Sequence, residues 1–368
     1  MRILITGANG FIGKNLIAHL KTDNSLKIET FLRGQSFGVL KEKINQADFI
    51  FHLAGENRPD NNQLFKKNNF ELTKNICKFI IESNKKIPFV FSSTVQYELK
   101  NPYGVSKRNA ELVVEEYQKK TKAPVFIYRL TNIYGKWAKP NYNSVVATFC
   151  TNIINNTPST IIDGDKTLKL CYIEDLIEDF CKIIKSKKNG LTYIKVKPIH
   201  QITVQALFDT LKSFHISRPM SSIVFESTLD KNLYSTFISY LPFKKFSYPL
   251  KLHLDMRGNF VEFLKLSNQG QISFFSINPG HTRGNHYHHF KTEKFLILNG
   301  RVKFKFKNLL TGKVKEKIVN GKNPEVIDTV PGWIHNIKSL EKINTVYVIL
   351  WSNEVFDLNK PDTYYEEI

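Results

Sequence analysis

A glycine-spaced loop near the start of the chain constrains the fold more than any other feature. Gly7, Gly10 and Gly13 follow the apolar run Arg2–Thr6 and precede a helical pattern. Glycine lets the backbone turn tightly and approach a pyrophosphate, whose charge then lies at a helix N-terminus. The spacing therefore predicts a strand–loop–helix unit that binds a dinucleotide at the loop residues Gly7, Gly10, Phe11, Ile12 and Gly13.

The rest of the chain shows two different patterns of apolar residues. Over the first 130 residues, apolar runs alternate with helical stretches, which predicts a doubly wound α/β Rossmann-like parallel sheet. The pattern loosens between residues 140 and 241, as expected of a small substrate lobe. Residues 250–368 carry short alternating strands, of which Arg301–Phe306 is the clearest, and predict an all-β domain. We place the boundary between domains 1–243 and 244–368. The predicted strands are Arg2–Thr6, Lys27–Leu32, Phe49–Leu53, Pro88–Phe91, Val125–Arg129 and Ile161–Asp165, and the predicted helices are Leu64–Asn84, Tyr103–Lys120 and Val204–Phe214.

Composition excludes several classes of protein. The net charge is +20 over 368 residues, but the lysines are dispersed and no nucleic-acid-binding motif accompanies them, so we expect an anionic nucleotide as partner and no nucleic acid. No apolar run reaches the length of a membrane span. The run Arg2–Thr6 is expected to be a buried strand, which leaves no room for a signal peptide. Four cysteines without CxxC spacing predict buried thiols and a cytoplasmic location.

The spacing of a tyrosine, a lysine and a nearby hydroxyl predicts a site that transfers a proton to a carbonyl oxygen. Tyr103 and Lys107 are four residues apart and so share one face of a helix. An ammonium beside a phenol is expected to lower the pKa of the phenol toward working pH. The run Phe91–Thr94 ends the preceding strand, where a hydroxyl could hold the same oxygen. Tyr103 and Lys107, together with one hydroxyl of that run, are the predicted catalytic set for hydride transfer.

The second predicted strand ends near a candidate cofactor-selecting residue. Arg33 stands twenty residues past Gly13, where a carboxylate would bind the ribose hydroxyls of NAD. A guanidinium there suits a 2′-phosphate, which favours NADPH. The alternative is a solvated surface arginine.

A histidine cluster in the last third of the chain predicts a metal site. His286 and His288 are two residues apart on a strand and therefore face the same way, Glu293 comes from the next strand, and His335 lies further on. Three imidazoles and one carboxylate suit zinc, iron, nickel or manganese, among which the sequence does not choose; zinc is the ion we expect first. His281 and His289 do not fit the spacing and are excluded from the ligand set.

The N-terminal motifs resemble the extended short-chain dehydrogenase/reductase family over about residues 1–240. Besides the glycine loop and the Tyr103–Lys107 pair, the resemblance rests on His52–Gly55, Asn69, Arg129–Gly135 and Tyr172–Asp175. It implies that Thr94 is the catalytic Ser/Thr of the family. It further implies that Asp48 lies near the adenine and that Leu53, Ala54 and Gly55 lie beside the cofactor. Asn132 is expected near the nucleotide sugar.

One departure separates this chain from the sugar 4,6-dehydratases of that family. In those enzymes an Asp-Glu pair after the threonine eliminates water, whereas here Val95 and Gln96 follow Thr94. Neither side chain can act as an acid or a base. Reduction of a ketone is therefore preferred over dehydration.

The C-terminal motifs resemble the cupins, and among them the nucleotide-sugar 3,5-epimerases. Gly280, His286, His288, Glu293 and Gly300 match the first cupin motif, and Gly332–His335 resembles the second. The resemblance to the epimerases rests on Asp255–Glu262 and Arg283–Tyr287. It implies that Arg257, Phe260 and Glu262 contact the nucleotide sugar. The general base of that group falls on His286, which its neighbours here would make a metal ligand instead.

Taken over its whole length, the chain resembles the bifunctional capsule-biosynthesis enzymes of the CapF type. The resemblance implies a homodimer that epimerises C3 of a UDP-2-acetamido-2,6-dideoxy-4-hexulose in the cupin domain and reduces C4 with NADPH, on a route to UDP-N-acetyl-L-fucosamine. Two alternatives remain: a reductase whose cupin is structural or serves dimerisation, and a cofactor-sensing protein without turnover. The intact set Thr94, Tyr103 and Lys107 argues against the sensor, which would need no acid beside the nicotinamide.

Overall fold

The chain folds into two compact units in the computed structural model, which describes residues 1–220, 222, 224–266, 269–357, 359 and 361–368. The first unit comprises residues 1–212 and 227–241, and the second comprises residues 213–226 and 242–368. The predicted division after residue 243 placed residues 213–226 in the first domain, whereas the structure groups them with the second unit.

The elements alternate in the first half of the chain and are almost all strands in the second. The helices are α1 (Phe11–Leu20), α2 (Phe37–Gln46), α3 (Gln63–Phe65), α4 (Leu72–Glu82), α5 (Pro102–Thr121), α6 (Val145–Asn155), α7 (Ile173–Ile184), α8 (Val204–Ser217) and α9 (Thr228–Ser239). The strands up to residue 203 are β1 (Arg2–Thr6), β2 (Lys27–Phe31), β3 (Phe49–His52), β4 (Phe89–Thr94), β5 (Val125–Leu130), β6 (Asn132–Tyr134), β7 (Thr167–Tyr172), β8 (Leu191–Ile194) and β9 (His200–Thr203). The later strands are β10 (Leu252–Asp255), β11 (Gly258–Leu266), β12 (Gly270–Ile277), β13 (Thr282–Tyr287), β14 (Glu293–Ile297), β15 (Arg301–Asn308), β16 (Val314–Asn320), β17 (Val326–Thr329), β18 (Trp333–Ser339), β19 (Val346–Ser352) and β20 (Tyr364–Tyr365).

A six-stranded parallel sheet forms the centre of the first unit, in the order β2-β1-β3-β4-β5-β8. Its strands are apolar on both faces because helices cover both sides. Apolar side chains of α1 and α7 pack on one face, and those of α2, α4 and α5 pack on the other. This is the predicted doubly wound Rossmann-like fold, and it brings the carboxyl ends of β1, β3 and β4 to one edge.

The local structure of the first unit differs from the sequence predictions at two segments. The helix predicted over 64–84 forms, but six of its residues, Lys66–Glu71, are wound as a π-helix between α3 and α4. The strand predicted at Ile161–Asp165 is wrong, because that segment is irregular and the strand begins at Thr167. A separate three-stranded sheet, β6-β7-β9, carries Asn132 at its start.

Two antiparallel sheets make up most of the second unit. One has the order β10-β11-β12-β19-β14-β17 and the other the order β16-β15-β18-β13-β20. Phe275, Phe295 and Val348 of the first sheet and Val302 and Phe304 of the second share one apolar core. The prediction that this half is rich in strands is confirmed. None of the described helices in the chain is both long and apolar enough to cross a membrane.

Candidate functional site

The glycine loop joins β1 to α1 in a conformation that larger residues cannot adopt. Gly7 has φ +73°, and a Cβ on it would lie 2.6 Å from the backbone nitrogen of Ala54. A Cβ on Gly13 would lie 2.3 Å from the carbonyl oxygen of Gly7. The close packing of the loop lets α1 begin at the carboxyl edge of the sheet, where the backbone N–H groups of a first helical turn suit a phosphate.

A cavity of about 940 Å³ lies at that edge. Its position at the carboxyl ends of parallel strands is the usual ligand crevice of an open α/β sheet. Most of the residues predicted for cofactor, catalysis and sugar in the first unit line this one cavity: Gly7, Gly10, Phe11, Ile12, Gly13, Leu53, Gly55, Thr94, Tyr103, Lys107 and Asn132.

The start of α5 positions the predicted catalytic pair. The Asn101 side chain caps the helix by accepting a hydrogen bond from the Gly104 backbone at 2.7 Å. Tyr103 and Lys107 then lie one turn apart. Lys107 Nζ donates to the Ser92 carbonyl at 2.9 Å, which fixes the ammonium at β4, two residues before Thr94.

Burial sets the protonation of Tyr103. It raises the pKa of the phenol, and a hydrogen bond with Thr94 opposes this only in part. The predicted direction, a pKa lowered by Lys107, is wrong for this structure, because burial of the phenol outweighs the contacts that favour the phenolate. Tyr103 is therefore protonated at neutral pH and can act as an acid.

The Lys107 ammonium is buried, and its pKa is lower than that of an exposed lysine. Burial lowers the pKa of its ammonium to about 8, although the Glu111 carboxylate one turn further along α5 raises it in part. Glu111 was not predicted as a site residue. It accepts hydrogen bonds from Ser93 of β4 and from Arg129 of β5, so it links these two strands next to Thr94. Its spacing of four residues from Lys107 was the available sequence signal.

Three of the predicted cofactor residues do not line the cavity. Ala54 contributes its backbone N–H, which donates to Thr6 Oγ1 at 3.3 Å. Arg33 lies past β2 with its side chain 80% exposed, and it pairs with Glu56 at 2.6 Å.

Asp48 lies at the opposite edge of the sheet from the glycine loop. It precedes β3, and its carboxylate accepts a hydrogen bond from the Arg2 backbone at 2.7 Å. A four-residue strand separates the two edges by about 13 Å at 3.3 Å per residue. This position does not support the predicted contact between Asp48 and the adenine.

The predicted metal ligands converge in the second unit. His286 on β13 and His335 on β18 are paired across adjacent antiparallel strands, His288 lies just past the end of β13, and Glu293 begins β14. The candidate ligand atoms of all four lie within 4.8 Å of one another. Glu293 Oε2 is 3.3 Å from His288 Nε2 and 3.2 Å from His335 Nε2. Neighbouring ligands of a tetrahedral zinc ion stand about 3.4 Å apart when each bond is near 2.1 Å.

The chemistry of these atoms fits a cation. His288 Nε2, His335 Nε2 and Glu293 Oε2 are buried, and the described residues give none of them a hydrogen bond of acceptable angle. Burial, and then the adjacent His335 ring, lower the pKa of His286 to about 3. Burial would raise the pKa of Glu293, but the adjacent imidazoles outweigh it and hold that pKa below its usual range. An uncharged imidazole and an ionised carboxylate are the forms that bind metals.

A β-bulge brings two of the ligand strands into contact. The register of β13 against β18 shifts between Gly284 and His286, with φ of +95° at Gly284 and 59° at Asn285. A Cβ on Gly284 would lie 2.7 Å from the His335 carbonyl oxygen. Glycine is therefore required for the close approach that places His286 opposite His335.

The three residues predicted to bind sugar in this half do not all lie together. Phe260 and Glu262 line a second cavity of about 640 Å³, with Lys251, His253 and Lys265 among its other described residues. Arg257 is not among the described lining residues and pairs with Asp255 at 2.6 Å.

Comparison with known proteins covers the chain from end to end. Residues 3–196 match the NAD dependent epimerase/dehydratase family, and residues 253–364 match the polysaccharide biosynthesis C-terminal domain. A UDP-2-acetamido-2,6-beta-L-arabino-hexul-4-ose reductase from Pseudomonas aeruginosa is 46% identical over 99% of this chain and 98% of its own.

Solved structures agree with these matches. The capsular polysaccharide assembling protein CapF from Staphylococcus aureus superposes with a TM-score of 0.92 at 38% identity, covering 100% of both chains. A UDP-glucuronic acid 4-epimerase from Bacillus cereus superposes with a TM-score of 0.55 at 19% identity over 65% of this chain and 99% of its own, which shows a shared fold.

Proposed function

The chain belongs to the NAD dependent epimerase/dehydratase family, and we propose that it reduces the C4 ketone of a UDP-2-acetamido-2,6-dideoxy-4-hexulose with NADPH after its second unit has inverted C3. The product would be a UDP-N-acetyl-L-talosamine-type 6-deoxy sugar, on the route to UDP-N-acetyl-L-fucosamine for capsule or O-antigen. The full-length similarity to a named 4-hexulose reductase supports the substrate class. We further propose a cytoplasmic homodimer.

The observation that carries the reductase proposal is the meeting of Thr94, Tyr103 and Lys107 in the cavity that the glycine loop lines. The nicotinamide cofactor would supply the hydride. Tyr103, whose phenol is protonated at neutral pH and whose pKa burial raises further, donates its proton to the C4 oxygen as negative charge develops there. The Thr94 hydroxyl holds the same oxygen, and the Lys107 ammonium stabilises the phenolate that Tyr103 becomes. Val95 and Gln96 also line the cavity, and neither offers the acid or base that dehydration needs.

The cofactor preference rests on Arg33. Its guanidinium is exposed just past β2, where the ribose of a bound dinucleotide is expected. The exposure leaves Arg33 accessible to a 2′-phosphate, which supports NADPH.

The C3 inversion is assigned to the histidine cluster. We propose that the two sheets of the second unit form a cupin barrel, and their shared apolar core supports this. His286, His288, Glu293 and His335 would hold one divalent ion, zinc by preference, which would acidify the C–H beside a bound ketone. Phe260 and Glu262 would contact the nucleotide sugar from the cavity that they line.

Proton NMR in deuterated water tests the order of the two steps. The substrate is a UDP-2-acetamido-2,6-dideoxy-L-arabino-4-hexulose, incubated with the enzyme in the absence of NADPH. We expect deuterium to replace the C3 proton, and subsequent addition of NADPH to be followed by its oxidation. NADPH oxidation on the same ketone without any exchange would contradict the epimerase and leave a single-step reductase with a structural or dimerising second unit. None of the four candidate metal ligands is among the described lining residues of the second cavity, and this separation favours the single-step reductase as the second candidate function.

The pH dependence of reduction follows from Lys107. Because burial lowers the pKa of its ammonium to about 8, the charge that stabilises the phenolate is present below that pH and is lost above it. We expect kcat/KM for ketone reduction to be level from pH 6 to 7.5 and to fall toward tenfold per pH unit above about pH 8. Steady-state rates of NADPH oxidation between pH 6 and 10 measure this. A profile that stays level to pH 10 would show that the ammonium is not needed.

A further inference from the structure

The segment after Pro361 forms hydrogen bonds with the residues at the histidine cluster. The carboxylate of Asp362 accepts three backbone hydrogen bonds: from His289 at 3.0 Å, from Phe290 at 3.1 Å and from Lys291 at 2.9 Å. These are the three residues that directly follow the ligand His288. The Asp362 residue is 7% exposed, so these bonds lie away from competing water.

The backbone of the same residue contacts the ligand itself. His288 Nδ1 lies 2.5 Å from the carbonyl oxygen of Asp362. A carbonyl oxygen can only accept, so Nδ1 must carry the proton. In a neutral imidazole this leaves the lone pair on Nε2, the atom that faces Glu293 Oε2. Within the described residues, His288 is the one ring of the three whose second nitrogen has a hydrogen bond to a protein atom.

Additional contacts fasten the segment to the strand that carries the ligands. Tyr364 and Tyr365 form β20, which pairs with Tyr287 and His286 of β13. The Thr363 hydroxyl accepts a hydrogen bond from Lys291 Nζ at 3.0 Å. The position of the Asp362 carbonyl is therefore set by its own carboxylate on one side and by a strand pairing on the other.

We propose that Asp362 is a positioning residue that selects the metal-binding tautomer of His288, a role that rests on the proposed metal centre. The carboxylate pins the backbone of residues 289–291 to residue 362, and the carbonyl of residue 362 fixes the proton on Nδ1. Without the carboxylate the carbonyl can move away from the ring. The proton is then free to occupy Nε2, where it blocks ligation. Outer partners of ligating histidines act in this way and typically contribute 10- to 100-fold in metal affinity.

The choice of variants follows from the backbone at this position. Asp362 has φ 29°, which glycine and asparagine tolerate better than alanine. Asp362→Gly removes the carboxylate without adding strain, and Asp362→Asn keeps one accepting oxygen. The matched control is Asp328→Asn, because Asp328 is an exposed carboxylate of the same unit that pairs with Lys294 at 2.6 Å.

The experiment measures metal binding rather than turnover. Zinc affinity is determined by chelator competition on the full chain, and the visible spectrum of the cobalt-loaded protein reports ligand geometry. We expect Asp362→Gly to lose about 10- to 100-fold in zinc affinity with a changed cobalt spectrum, Asp362→Asn to lose less, and Asp328→Asn to match the unaltered protein.

Thermal unfolding of metal-stripped protein separates positioning from folding. A purely structural role would lower the Tm of stripped Asp362→Gly but leave zinc affinity and the cobalt spectrum unchanged, and that result would overturn the proposal. An unaltered protein that binds neither zinc nor cobalt would instead overturn the metal centre, and with it any role of Asp362 toward a ligand.

Discussion

Tyr103→Phe is expected to reduce kcat for ketone reduction by about 10²- to 10⁴-fold, the usual range for removing a positioned proton donor. The ring should keep its place, because it packs against Phe65 with 5.7 Å between ring centroids. Affinity for NADPH should therefore change little. Single-turnover reduction monitored by NADPH absorbance, together with a fluorescence titration of NADPH, measures both quantities.

Tyr193→Phe provides the matched control for the loss of a hydroxyl. Tyr193 lies on β8, outside the cavity, and its hydroxyl donates to Glu115 at 2.6 Å. We expect this variant to retain nearly full activity. If Tyr103→Phe retained more than a tenth of kcat, the proton would have to come from another group and the assignment of Tyr103 as the acid would be wrong.

His335→Ala is expected to abolish both metal binding and exchange of the C3 proton. His335 is 3% exposed and shares the Glu293 carboxylate with His288. Its removal leaves a charged carboxylate and two imidazoles without their fourth partner. The loss of zinc affinity should exceed the 10- to 100-fold that follows the loss of an outer partner. Metal analysis after dialysis and deuterium exchange at C3 are the two measurements, while NADPH binding should survive.

His281→Ala is the control for the loss of an imidazole near the cluster. His281 is exposed, and its ring contacts the carbonyl of Pro279 rather than any ligand. This variant should keep its metal and its exchange activity. Retention of metal by His335→Ala at the level of His281→Ala would remove the basis for the proposed centre.

Much of the fold could be predicted because its signals are local in the sequence. Alternation, apolar runs and glycine spacing depend on neighbours within a few residues, so β1, β3, β5 and the catalytic helix were placed within one or two residues of their observed ends. The histidine cluster was predictable for the same reason: strand periodicity puts His286 and His288 on one face. The π-helical turn at Lys66–Glu71 was not predicted, because it differs from an α-helix in hydrogen bonding rather than in residue pattern.

The sequence by itself determined which chemistry-bearing groups the chain owns: the glycine loop, Thr94, Tyr103 and Lys107, and the four candidate ligands. Tertiary structure decided their states and their partners. Burial, which no local pattern measures, raised the pKa of Tyr103 and lowered that of Lys107. The parallel pairing of β1 with β3 placed Asp48 at the amino ends of these strands, opposite the glycine loop. Asp362 reaches His288 across 74 residues of chain, and the pairing of β20 with β13 and the backbone hydrogen bonds to the Asp362 carboxylate bring the two together.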